Sequence, residues 1–309
     1  MSQLKPRAVV IGGGTMGGGI AVAFAAGGYA VDVVSPSEKT RAGLPGRFAA
    51  GLASLGVKAD PGALGVYADF TGVPWPEVDI VVESATENLP LKQRLFAELE
   101  PLVRADVPLT SNSSSFPISE IGKGLQSQSR MMGLHFFMPA HLIPLVEVVR
   151  SVHTRVDLAE SVGEIVRKLG KRPVQVKKDV IGFIGNRIQH ALLREMLYII
   201  DQGIASPEDV DATVRYSFGF RFAAAGPVMQ KEHSGWDTTC AVSKIIYPHL
   251  CNDTGPAQVL QKNVAEGRIG FKTRQGFFKW DDESMAKERA RYEKALLKCM
   301  EIFKEEGIR

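Results

Sequence analysis

The chain has 309 residues, 45% of them hydrophobic and 23% charged, a soluble globular composition that excludes collagen-like, disordered and disulfide-scaffold architectures. Lys+Arg 37 against Asp+Glu 34 leaves a formal charge of +3, and no short window gathers enough basic residues to track a phosphate backbone, so nucleic acid is not an expected partner. The longest apolar stretch, about Ile20 to Val34, is interrupted by Gly27, Gly28 and Asp32, and nothing near Met1 has the layout of a secretion signal, so a soluble cytoplasmic protein without a membrane partner is expected.

As far as Val180, short β-branched runs alternate with amphipathic stretches, the pattern of βαβ units and a parallel sheet. Strands are predicted at Ala8 to Ile11, Ala30 to Val34, Gly65 to Phe70, Asp79 to Glu83, Val107 to Ser111, Met131 to Phe137, Leu145 to Val149 and Pro173 to Val176. Helices are predicted at Thr15 to Ala26, Ser37 to Leu55, Leu91 to Val103 and Leu158 to Leu169, with Pro45 kinking or splitting the second. Beyond Val180 the alternation stops and helical periodicity takes over at Ile184 to Gln202, Pro207 to Arg215, Pro227 to Tyr247, Pro256 to Glu266 and Glu283 to Glu306. The expected architecture is α/β, a doubly wound, mostly parallel sheet of Rossmann type over residues 1–181, followed by an all-helical domain over 182–309. Cys240, Cys251 and Cys299 are odd in number and lack C-x-x-C spacing, which argues against disulfides and a thiolate metal site and leaves core or helix-face thiols.

Gly12, Gly14 and Gly17 form G-x-G-x-x-G directly after the first strand and at the start of a helix. In that context the first glycine permits the tight turn, the second lets a pyrophosphate approach the backbone, and the third allows close helix–strand packing. The helix N-terminus supplies free N–H groups for the diphosphate. The second strand of such a unit normally ends in an acid that holds the adenosine ribose, and here Ser35 occupies that position. A serine followed by Lys39 and Arg41 tolerates a 2′-phosphate, so NAD and NADP both remain open. Asp32, inside the strand, reads as a structural carboxylate.

Three further segments lie where a doubly wound sheet binds ligands: Glu83 to Asn88 with Lys92, Ser111 to Ser115 including Asn112, and Leu134 to Phe137. The serine cluster reads equally as a helix-capping loop, and His135 as a satisfied core histidine. Glu147 interrupts the apolar run Leu145 to Val149, where a carboxylate is costly unless paired. Paired with His135, it would fix the imidazole tautomer and stabilise the imidazolium, as a general base requires. The alternative is an edge strand with Glu147 in water. His141 lacks metal-ligand spacing, so no metal site is expected.

Taken in order, Ile11 to Gly17, Val82-Glu83 through Glu87-Asn88, Ser111 to Ser115, Gly133 to Phe137, Leu145 to Val149, Gly182 to Arg187, Gly226-Pro227, and Lys272-Thr273 followed by Gly276-Phe277-Phe278 resemble the 3-hydroxyacyl-CoA dehydrogenase family over nearly the whole chain. The resemblance implies that His135 removes the hydroxyl proton while hydride leaves the same carbon for the nicotinamide, and that Glu147 orients His135. It implies that Ser114 and Asn186 hydrogen-bond the substrate oxygen as it becomes a carbonyl. Gly12, Gly14, Thr15, Met16, Gly17, Ser35, Glu87, Lys92, Asn112 and Lys272 are the expected cofactor contacts, and the helical domain is expected to close over the substrate and to form a homodimer.

The chain departs from the family pattern at several points: Met138 replaces an asparagine, Ser35 the ribose-binding acid, and Arg274 a glycine, while Met229 to His233 follow Gly226-Pro227. The segment His141 to Leu145 resembles relatives that oxidise small free hydroxy acids or ring-bound alcohols as much as those using thioesters. Three functions therefore compete: NAD(P)-dependent oxidation of an L-3-hydroxyacyl-CoA or 3-hydroxy acid in fatty acid metabolism, the same chemistry on a small non-CoA hydroxy acid or heteroaromatic alcohol, and nucleotide binding without catalysis. Retention of Ser114, His135, Glu147 and Asn186 speaks against the third.

Overall fold

The computed structural model describes residues 5–308. It divides into two compact units, one running to Asn186 and taking in the residues from Phe303 onward, the other spanning Arg187–Ile302.

The first unit is built on an eight-stranded sheet. Its strands are β1 (Arg7–Ile11), β2 (Ala30–Val34), β3 (Leu64–Tyr67), β4 (Ile80–Glu83), β5 (Leu109–Ser111), β6 (Met131–Phe136), β7 (Leu145–Arg150) and β8 (Arg172–Val176), in the order β3-β2-β1-β4-β5-β6-β7-β8. Neighbours are parallel except β6 and β7, which run antiparallel. Helices cover both faces, so the central strands read as continuous apolar runs rather than alternating ones. Val10, Val31 and Val33 face one core with Phe24, Leu44 and Val162; Val9, Ile11 and Val81 face the other with Phe96, Leu99 and Ile118. β5 is shorter than its apolar run because Pro108 has no N–H to give a ladder.

The helices of this unit are α1 (Thr15–Ala26), α2 (Glu38–Ser54), α3 (Leu89–Leu99), α4 (Ile118–Ile121) and α5 (Val156–Lys168). Of the kink or split expected at Pro45, α2 shows no split. Pro45 sits on the exposed face, where water can meet the carbonyl it frees, while Leu44, Phe48 and Leu52 bury the opposite stripe and hold the helix through it. Asp32 is buried against Arg7 at 2.7 Å, and a Cβ on Gly65 of the adjoining strand would lie 2.1 Å from its Oδ1, so the glycine makes room for the carboxylate.

From α6 (Gly185–Asp201) the chain is helical, through α7 (Pro207–Tyr216), α8 (Phe218–Phe222), α9 (Pro227–Ser234), α10 (Trp236–Ile246), α11 (Gln258–Ala265) and α12 (Asp282–Lys304). The single helix expected from Pro227 to Tyr247 is broken at Gly235, whose φ of +87° is incompatible with a continuing α-helix. Cys240 and Cys299 lie exposed on helices and Cys251 is half-buried, so none of the three is a core thiol. Among the described residues, no helix is long and apolar enough to cross a membrane.

Candidate active site

The antiparallel pairing of β6 with β7 sets His135 directly opposite Glu147. Both are buried, and His135 Nδ1 lies 2.7 Å from Glu147 Oε2. Glu147 Oε1 accepts the backbone N–H groups of Ile184 and Gly185, at 3.0 and 2.8 Å, from the start of α6. Two consecutive residues with positive φ, Gly182 at +76° and Phe183 at +47°, turn the chain to present those amides. The strained residue is no accident of a loose loop: the Phe183 ring is buried and meets the His135 ring edge-on, centroids 5.6 Å apart. Gly185 is required because a Cβ there would lie 2.5 Å from Phe137 Cζ. Burial pushes the Glu147 carboxyl up, but the His135 hydrogen bond, the Gly185 amide, the His135 charge and the Ile184 amide together hold it below the ordinary range. With a carboxylate as its acceptor, Nδ1 carries the imidazole proton, and Nε2 has no hydrogen-bond partner among the described residues. The pairing thus orients the imidazole and leaves one ring nitrogen uncommitted, the arrangement a general base requires.

Ser114 and Asn186 are brought together: the Asn186 amide Nδ2 points at Ser114 O at 3.4 Å. The loop carrying Ser114 is fixed by Glu87, whose Oε1 accepts from Ser113 Oγ at 2.6 Å and from the amides of Ser114 and Ser115 at 3.2 and 3.0 Å. Burial raises the Glu87 pKa, but its hydrogen bond to Ser113 and its pairing with Lys92 outweigh that and hold the carboxylate ionised. Lys92 sits beneath the same loop. Its ammonium is buried, 2.8 and 2.9 Å from the Glu83 oxygens and 3.2 Å from Glu87 Oε2, so it ties two carboxylates together. Glu83 also accepts from Ser111 Oγ and the Ala85 amide, each at 2.6 Å. Asn112 is likewise engaged, its Oδ1 accepting the Phe136 amide at 2.8 Å, which ties the loop after β5 to the end of β6.

The glycine loop has the shape a dinucleotide needs. Gly12 adopts φ +107°, and a Cβ there would lie 2.5 Å from Ser84 O; a Cβ on Gly17 would lie 1.7 Å from Gly12 O. Gly14 is the N-cap of α1 with no side-chain cap, and nothing lies within 4 Å of its Cβ position, so the first-turn amides beside exposed Thr15 and half-buried Met16 are open to a diphosphate. Ser35 is buried at the end of β2, and Arg41 Nη1 donates to the carbonyls of Ser35 and Pro36 at 2.7 and 2.8 Å, which brings its charge to the strand end; Lys39 is exposed. Lys272 lies in the second unit on an exposed turn, where Arg274, at φ +58°, pairs with Asp282 at 2.9 Å. His190 is exposed on α6.

Sequence reasoning missed Phe183, Ser113 and the Glu83–Lys92 pair. A signal for the pair existed, since Glu83 ends an apolar parallel strand, but its partner lies on another element.

The family model described as 3-hydroxyacyl-CoA dehydrogenase, NAD binding domain, matches residues 7–180, and that of the 3-hydroxyacyl-CoA dehydrogenase C-terminal domain matches residues 182–280. The chain belongs to the 3-hydroxyacyl-CoA dehydrogenase family. It is an oxidoreductase with an NAD-binding Rossmann domain. Human mitochondrial hydroxyacyl-coenzyme A dehydrogenase is 33% identical over 287 residues, covering 88% of this chain and 90% of that protein. The 5-formyl-3-hydroxy-2-methylpyridine 4-carboxylate 5-dehydrogenase of Mesorhizobium japonicum is 30% identical over 300 residues, 94% of this chain and 97% of the relative. A crystal structure of a dehydrogenase of that same specificity, described as NAD+ dependent, matches at TM-score 0.88 and 28% identity over 97% of this chain and 99% of its own. The (S)-3-hydroxybutyryl-CoA dehydrogenase of Ralstonia eutropha matches at TM-score 0.70 and 28% identity, over 90% of this chain and all of its own.

Proposed function

We propose that this 3-hydroxyacyl-CoA dehydrogenase family member oxidises the secondary alcohol of a 3-hydroxyacyl thioester or 3-hydroxy acid to the ketone, with His135 as the general base. The observation that carries it is the buried His135–Glu147 pair, with Nδ1 anchored at 2.7 Å and Nε2 unspent. NAD(P), when bound, takes up the hydride. Nε2 takes the hydroxyl proton, and Glu147, ionised and fixed by two backbone amides, stabilises the imidazolium that results. Ser114 and the Asn186 amide are the donors for the substrate oxygen as it becomes a carbonyl, and Glu87 keeps the Ser114 loop in place. In the reverse direction His135 returns the proton. The assay is reduction of 3-ketoacyl thioesters and free 3-keto acids followed by nicotinamide absorbance, with His135→Gln as control; equal turnover by that variant would remove the imidazole from the reaction.

The likeness to the pyridine carboxylate dehydrogenase over 97% of the chain favours a second reading of the substrate, a small non-CoA alcohol handled by the same residues. For the cofactor, Ser35 lacks the charge that repels a 2′-phosphate and Arg41 brings a positive one to the strand end, so NAD is used with reduced discrimination against NADP. The partner is a second copy of this chain, joined through the helical unit, which leaves a broad apolar surface in water.

A further inference from the structure

A cleft of about 160 Å³ opens on the first unit beside α1, lined by Thr15, Gly18 and Gly19 of that helix, Arg47 of α2, and Met138 to His141 of the segment that follows β6. It takes a group of a few atoms, well below the roughly 300 Å³ at which drug-sized ligands are accommodated. Its polar lining is Arg47, His141 and the Thr15 hydroxyl, with no acidic side chain among the described residues that line it.

Arg47 is exposed, yet it is not a free surface arginine. Its Nε donates to Gly43 O at 3.3 Å, and its Nη2 to Gly13 O at 3.0 Å and Thr40 O at 3.3 Å, so backbone carbonyls of α2 and of the glycine loop hold the guanidinium in one orientation. No hydrogen bond occupies Nη1 among the described residues. That nitrogen stands over Gly18, 3.8 Å from where a Cβ would be, and His141 Nδ1 stands over Gly19 at 3.6 Å from its Cβ position. Two glycines in succession on a helix cost stability. Here they let neighbours approach closely: Leu44 Cδ1 would lie 3.6 Å from a Cβ on Gly18, and Ala140 Cβ 3.2 Å from one on Gly19. A guanidinium already fixed by its other N–H groups gives up little entropy when Nη1 binds, and a charge-assisted bond from it is among the stronger a surface cleft can offer.

We propose that this cleft is a carboxylate subsite: Arg47 Nη1, with the Thr15 hydroxyl, receives the carboxylate of a compact free hydroxy acid. The inference rests on the dehydrogenase reading above and narrows it, because the segment that walls the cleft begins three residues after the base His135. A free acid has the charge this cleft answers, and a thioester has none at the corresponding carbon.

The test compares 3-hydroxybutyrate and pyridine-4-carboxylate, each with its methyl ester, on wild type, Arg47→Gln and Arg47→Lys. Binding is measured by calorimetry, and kcat/KM wherever turnover is seen. At least one acid is expected to bind at least tenfold more tightly than its ester to wild type. Arg47→Gln should remove that preference by weakening the acid alone, Arg47→Lys should restore part of it, and the KM for NADH should stay within twofold. The proposal fails if acid and ester bind alike, or if Arg47→Gln weakens both equally, which would give Arg47 a purely structural role under the glycine loop. It also fails if the substitution raises the KM for NADH instead, which would give the cleft to the cofactor. Calorimetry needs no turnover, so loss of the reaction assignment through a fully active His135→Gln enzyme would leave the binding result standing.

Discussion

A carboxylate with no exposure, set in an apolar strand, is stable only because every direction around it is answered: Glu147 has the imidazole on one oxygen and two amides on the other. Removing the imidazole leaves that carboxylate short of one partner and, on the proposed mechanism, the reaction without a proton acceptor. His135→Gln is therefore expected to lower kcat at least about a hundredfold while NADH titration, followed by fluorescence, stays near wild type. Glu147→Gln keeps the shape and loses the charge. Since the folded pKa of Glu147 lies below its ordinary 4.5, the group contributes stability above that value that is lost as pH falls through the lower folded value. Urea unfolding at a series of acid pH values should show a shallower acid decline for Glu147→Gln than for wild type, together with a kcat profile displaced to lower pH because the imidazolium is less stabilised. At the end of β2, Ser35→Asp should raise the NAD over NADP ratio of kcat/KM by tenfold or more, the aspartate accepting from the ribose hydroxyls and repelling a 2′-phosphate. A wild-type enzyme that already rejects NADP as strongly as the variant would show that Ser35 does not set the choice.

At the scale of elements, β1, β2 and α1 were legible to the residue or nearly so, because uninterrupted β-branched runs and a glycine turn admit one local structure. The His135–Glu147 pair was legible for the same kind of reason, a carboxylate out of place in an apolar strand. The break at Gly235 was not, since a lone glycine inside a helical period costs only about 1 kcal/mol and only the positive φ reveals the turn. The ion pairs of Lys92 were not legible because its two carboxylate partners come from outside its helix, and burial is decided by tertiary packing. Lys171 shows the same limit. Its ammonium is buried between α5 and β8 and donates to Ile143 O at 2.7 Å and His141 O at 3.3 Å, pinning the segment that leads from β6 to β7. Burial lowers its pKa from 10.5 to about 8. The unfolded chain thus binds the extra proton between those values, and stability rises with pH across that window. Relative to Lys171→Met, wild type should gain on the order of 1 to 3 kcal/mol as pH is raised through this range, measured by urea unfolding at constant ionic strength. Parallel curves for the two proteins would mean that the lysine is better solvated than its packing indicates.

At the scale of the molecule, the two units differ in what holds them together. The first has two apolar clusters on the faces of its sheet. The helical unit has few buried positions: among its described residues only Leu197, Val210, Asn263 and Met285 are buried, while Phe220 and Ile245 are 75% and 70% exposed. Ile188, Val228, Trp236 and Tyr247 are exposed as well, a quantity of apolar surface that a soluble monomer rarely leaves in water. Helices of this length owe most of their stability to packing of their apolar faces, so such a unit alone falls short of what its backbone entropy demands. A second copy offers the matching surface at no cost in sequence, because a two-fold interface is self-complementary. Sedimentation velocity should therefore give a dimer at micromolar concentration. Ile245→Glu, or the pair Phe220→Ser and Ile245→Glu, places charge or polarity where burial is required. These variants should sediment as monomers and melt earlier, with the loss concentrated in helical circular dichroism. The first unit's NADH binding, which draws on its own sheet and glycine loop, should survive the change. A wild-type chain that sediments as a monomer, with these variants unaltered in melting temperature, would show that the apolar face is stable in water and that no second copy covers it.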